Sequence, residues 1–71
     1  MEKVYIYTEF IRLQDVLKKG NLVMSGGEAK VVIQQGDVSV NGEVCTMRGK
    51  KLHPGDVVSY QGRTLQVAGE E

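Results

Sequence analysis

Apolar residues recur along this chain in two rhythms, strict alternation over short runs and spacings of three and four over two longer stretches. Val4-Tyr5-Ile6-Tyr7, β-branched and aromatic, predicts a strand near the N-terminus, placed at a sheet edge. Leu13, Val16 and Leu17 then fall on one helix face, with Arg12, Gln14, Lys18 and Lys19 elsewhere on the wheel. This predicts a helix from about Thr8 to Lys19, stopped by Gly20. Asn21-Leu22-Val23-Met24 follows as a link whose apolar members are expected to bury between two helices.

Ser25 with Glu28 three positions on is a capping box, in which the hydroxyl accepts the Glu28 N–H and the carboxylate reaches back to the Ser25 N–H. The second helix starts there, with Ala29, Val32 and Ile33 as its apolar face and Gly27, Lys30 and Gln34 on another. Gly36 ends it, and Val38 and Val40 alternate with Ser39 as a half-buried strand. Asn41-Gly42 is a type I′ hairpin signal that returns the chain antiparallel through Val44. Gly55-Asp56 opens another alternating run, Val57 to Tyr60, which Gln61-Gly62 turns into Thr64 to Val67.

At 71 residues the chain is expected to form one domain, residues 1–71, too small for a large active-site cavity. With no Trp, one Phe and three Tyr, the core must be aliphatic, and the first strand and core are expected to absorb Tyr5, Tyr7, Phe10 and Tyr60. The nine basic and nine acidic residues cancel, so any case for a polyanionic partner rests on how the charges are arranged. They are uneven: Val44 to Gly55 holds Arg48, Lys50, Lys51 and His53 with no acid, while Glu70 and Glu71 close the chain. A single cysteine, no signal segment and no long apolar run point to a cytoplasmic protein without a membrane partner.

Catalytic arrangements are thin. Cys45 reads as a small packed side chain or a reactive thiol, and His53, before Pro54 in a turn, as an exposed or phosphate-facing group or a general base. There is no zinc spacing and no phosphate-binding loop motif, so no catalytic residue, metal, cofactor or small-molecule substrate is expected. Gly26-Gly27 admits two readings: a steric convenience that lets the helices approach, or a bare helix start where a phosphate reaches free N–H groups. Lys30 and Gln34 would extend such a contact along the helix. The Arg48, Lys50 and Lys51 group is likewise either a solvated loop or a second phosphate contact.

Arg12-Leu13 with Leu17, then Ser25, Ala29, Ile33, Gly36, Val38, Val40, Asn41-Gly42 and Gly55-Asp56, resemble the RNA-binding domain named after ribosomal small-subunit protein S-four. Ser25 to Lys30 together with Arg48 to Leu52 look like its stand-alone YbcJ/YaaA-like branch. The resemblance implies an α+β fold, two packed helices against a small antiparallel sheet. It also implies an RNA surface at Arg12, Ser25, Gly26, Lys30, Gln34 and the basic group from Arg48 to Lys51. Two positions depart from the broader family pattern: Gln14 stands where Asp is common, and Gly26 where Arg commonly follows the serine.

The function expected on these grounds is non-enzymatic binding of structured RNA through backbone phosphates, with ribosomal RNA or a ribosomal particle as partner. Its rival is a protein-interaction module that docks through a sheet edge or a helical face.

Overall fold

The computed structural model describes residues 2–69, so the acidic pair Glu70 and Glu71 lies outside the described residues. The chain forms β1 (Glu2–Ile6), β2 (Ile11–Arg12), α1 (Leu13–Lys19), α2 (Gly26–Gln34), β3 (Val38–Val40), β4 (Glu43–Val44), β5 (Lys51–Leu52), β6 (Val57–Tyr60) and β7 (Arg63–Gly69). Five strands make one sheet in the order β1-β7-β6-β3-β4, and β2 pairs with β5 in a separate antiparallel ladder. The α+β class and the edge position of the first strand hold. The sheet is mostly antiparallel, and its departure is β1, which runs parallel to β7 from Glu2 opposite Leu65 to Ile6 opposite Gly69.

Helix α1 starts at Leu13 rather than near Thr8, because Ile11 and Arg12 are drawn into extended pairing with Leu52 and Lys51. The Leu13 and Gln14 N–H groups, which no earlier helical turn serves, donate to the carbonyls of Lys50 and Arg48 at 2.9 and 3.1 Å. Thr8 caps nothing; its hydroxyl donates to the Phe10 carbonyl.

Both helices end in the same way. The Leu22 N–H reaches the Leu17 carbonyl and the Asn21 N–H that of Lys18; in α2 the Asp37 and Gly36 N–H groups reach Val32 and Ile33. The left-handed residue is Gly36 in one case (φ 84°) and Asn21 in the other (φ 59°). Gly20, at φ −83°, is therefore not the left-handed stop. It is a glycine because a Cβ would collide with the Leu65 side chain and lie 3.2 Å from the Val16 carbonyl oxygen.

Alternate strand positions are buried: Val4 and Ile6, Val38 and Val40, Val58 and Tyr60, Leu65 and Val67. Leu13, Val16 and Leu17 of α1 and Ala29, Val32 and Ile33 of α2 complete one aliphatic core with Val23 and Leu52. Each Leu, Ile or Val side chain of that core contributes about 1.5–3 kcal/mol when fully buried. The link between the helices buries only in part: Val23 is interior and Leu22 packs on the core, but Met24 is 95% exposed. The aromatics also depart from expectation. Tyr60 alone is buried, while Tyr5 and Tyr7 are exposed and Phe10 is half-buried. Among the described residues, no helix is long and apolar enough to cross a membrane.

Candidate nucleic-acid interface

The β2–β5 ladder sets Arg12 directly opposite Lys51. Like charges facing one another across a ladder repel, so the pair is held by the surrounding packing and not by its own attraction. On either side of it, Leu52 is fully buried and the α1 N–H groups hold the carbonyls of Lys50 and Arg48. The basic loop is thereby wrapped over the start of α1, and Arg12, Arg48, Lys50 and Lys51 are all exposed there.

Elsewhere on the surface, Lys3 and Lys30 stand without a carboxylate partner among the described residues, while three other cations are engaged. Lys18 pairs with Asp15 at 3.6 Å, Arg63 with Glu2 at 2.6 Å, and Lys19 donates to the Tyr5 carbonyl. Among the described residues, Arg12, Arg48, Lys50 and Lys51 have no carboxylate partner. Four cations without a carboxylate in ion-pair contact, gathered on β2 and on the loop tied to it, form a field that attracts an anion, and the chain's overall neutrality does not cancel it locally.

What the two facing cations do touch is a ring. The Arg12 guanidinium carbon lies 5.6 Å and the Lys51 ammonium 4.9 Å from the Phe10 ring centroid, within reach of its negative face. The exposed His53 ring stands on the same cluster, 6.5 Å from that of Phe10 and tilted by 52°. Phe10 is a candidate site residue that sequence reasoning missed, and it stands beside His53, which the sequence offers as an exposed or phosphate-facing group. Reading Thr8 as a helix start hid the signal, which is that Phe10 and Arg12 share a face of an extended segment.

The other expected contacts lie on α2. Ser25 caps that helix, its hydroxyl accepting the Glu28 N–H at 3.2 Å. The Glu28 carboxylate reaches past the expected Ser25 N–H and accepts from Met24 at 2.6 Å instead. The N–H groups of Gly26 and Gly27 have no acceptor among the described residues. A Cβ at either glycine would meet only the Lys18 ammonium at 3.9 Å or the Ser25 hydroxyl at 3.8 Å, so packing does not demand glycine there. Lys30 and Gln34 are exposed on the same helix. No hydrogen bond or ion pair joins either to the basic loop among the described residues. What lies between is α1, with Lys18 beside Gly26 at one end and Arg12 at the other. Lys18 is a further residue to add to the candidate set.

A groove of about 380 Å³ runs beside β4, lined in part by Val44, Cys45, Met47 and Lys50. Cys45 is half-buried against the core, its thiol directed at the Met47 carbonyl. Among the described residues, no group of three or more His, Cys, Asp and Glu side chains could hold a metal ion.

Comparison with known proteins fits this geometry. The family model described as the S4 domain matches residues 4–68. The chain is 42% identical over 59 residues to the Bacillus subtilis protein named "Probable ribosome maturation protein RlbA", covering 83% of each. It is 39% identical over 57 residues to Escherichia coli YbcJ, named a candidate RNA-binding protein, covering 80% of this chain and 81% of YbcJ. The solution structure of YbcJ, described as revealing an αL motif involved in RNA binding, superposes with a TM-score of 0.74 at 33% identity, over 96% of this chain and 87% of that one. The 30S ribosomal protein S4e of Thermoplasma acidophilum shares the fold, with a TM-score of 0.67 at 19% identity, over 80% of this chain and 30% of that one. On the extent of the family match and the identity to two relatives, this chain belongs to the S4 domain family.

Proposed function

We propose that this protein is a non-enzymatic RNA-binding protein that grips structured RNA, ribosomal RNA or a ribosomal particle, by its backbone phosphates. The observation that carries the reading is the exposed group Arg12, Arg48, Lys50 and Lys51, tied to the start of α1 and lacking carboxylate partners among the described residues. Such an array supplies charge-assisted donors at fixed positions, which is what phosphate recognition uses. The names of two relatives, "Probable ribosome maturation protein RlbA" and "Putative RNA-binding protein YbcJ", support the same reading. Ser25, Gly26, Gly27, Lys30 and Gln34 extend the surface, with the free N–H groups at the start of α2 as further phosphate donors. The groups that could do chemistry stand apart: the Cys45 thiol faces a carbonyl, and His53 contacts a phenyl ring.

Measuring affinity for a ribosomal RNA hairpin as a function of salt tests this directly. Neutralising four phosphates gives a log–log slope of about −3 to −4. A slope near zero contradicts it.

One observation favours a second reading, a protein partner docked at the β4 edge: Val44 and Met47 are 64% and 65% exposed beside the groove. Pull-down from a nuclease-treated lysate separates the two, since an RNA-bridged complex disappears and a protein complex persists.

A further inference from the structure

Phe10 occupies a position that neither the core nor the phosphate contacts account for. It is half-buried in the segment before β2, and its ring carries two cations and lies beside a third polar group, the His53 ring. Arg12 and Lys51 repel one another, and an exposed cation–π contact is weak compared with a charge-assisted hydrogen bond to phosphate. Arriving phosphates therefore draw both cations off the ring. An RNA backbone held by those two side chains would run about a side chain's length from the ring they leave, near enough for an attached base to stack on it.

We propose that Phe10, flanked by His53, is a stacking seat for one unpaired nucleobase whose neighbouring phosphates are held by Arg12 and Lys51. The preferred RNA then carries a bulge or loop nucleotide at this place rather than an uninterrupted duplex, because bases inside a duplex offer no free face. This specificity rests on the phosphate-binding reading above and narrows its ligand class.

The test uses two RNA hairpins that share one stem, one perfect and one with a single unpaired adenine, against the wild-type protein and Phe10→Leu. Leucine keeps apolar volume and removes the π face, and thermal melting confirms that the variant is folded. Wild type is expected to bind the bulged stem about tenfold more tightly than the perfect one. Phe10→Leu is expected to bind both stems equally. With 2-aminopurine as the unpaired base, wild type quenches its fluorescence by stacking and Phe10→Leu does not. Equal binding of both stems by wild type, or a preference that survives in folded Phe10→Leu, overturns the seat and leaves the phosphate contact standing. Failure of wild type to bind either hairpin overturns both.

Discussion

Asn41 and Asp56 are joined side chain to side chain, the Asn41 amide donating to a carboxylate oxygen of Asp56 at 3.1 Å. The same asparagine clamps Val57 from both sides, accepting its N–H at 2.9 Å and donating its own N–H to the Val57 carbonyl at 2.7 Å. The other oxygen of Asp56 accepts the His53 N–H at 2.7 Å. The β3–β4 turn and the turn before β6 are thus one bonded unit, and it anchors the far end of the basic loop.

Removing the carboxylate by Asp56→Ala is expected to cost about 1 kcal/mol, the scale of a hydrogen bond lost at a site where water can substitute. For a domain of this size that is about 4–8 °C in Tm. The His53 N–H, followed by the Asn41 amide, holds the Asp56 carboxyl below its ordinary value. Because the folded state prefers the ionised form, this contribution is complete above the unfolded-state value and is lost as pH falls through the lowered one. Melting scans from neutral to acid pH should show wild type losing more stability than Asp56→Asn across that range; parallel curves would contradict the brace.

Ser25→Ala deletes the cap on α2 and is expected to lower stability by about 1 kcal/mol. Ser25→Asp, which restores an acceptor, should recover it. Urea midpoints of the two variants decide the matter, and a neutral Ser25→Ala would show the cap to be dispensable.

The glycines divide into two kinds. Gly20→Ala must push against Leu65, which is 1% exposed, and is expected to destabilise by about 1–3 kcal/mol through overpacking. Gly26→Ala with Gly27→Ala enters open space and should leave the melting temperature unchanged or raised, since alanine is the better helix former. If phosphates reach the bare backbone at the start of α2, that stable double variant binds RNA more weakly. Undiminished binding removes this helix end from the interface.

Charge reversal maps the extent of the surface. Arg12→Glu with Lys51→Glu is expected to weaken RNA binding by at least tenfold and to shorten the salt slope by about two, one unit per lost phosphate contact. Lys30→Glu asks whether α2 shares that footprint, and a slope reduced by about one places it within. Circular dichroism checks that the exposed substitutions leave the fold intact, as surface changes ordinarily do within about 0.5 kcal/mol.

Elements whose signals are local could be read from the sequence with little error. The Ser25 cap, the Gly36 stop and the Asn41-Gly42 and Gln61-Gly62 turns each depend on residues within four positions, and each stands where the pattern predicts. The start of α1 was not legible, because what ends the extended segment is a partner in β5, far along the chain. The same distant pairing decided the candidate site. Arg48, Lys50 and Lys51 could be recognised from their run of charge, but that Arg12 faces them, and that Phe10 lies under both, follows from tertiary register alone. Gly20 shows the converse: its sequence position suited a helix stop, whereas its side-chain-free space is required by Leu65 in the last strand.

The parallel pairing of β1 with β7 joins the earliest strand to the latest, and Val4 and Ile6 cannot leave water until Leu65 and Val67 exist to receive them. Pairing over such a separation forms late, because the intervening chain must first lose its freedom. During synthesis, the helices and the inner hairpins can gather while the opening strand waits, so closure of the sheet follows emergence of Gly69 from the translating ribosome. A nascent chain stalled short of that point would display an unpaired, apolar first strand to whatever lies nearby.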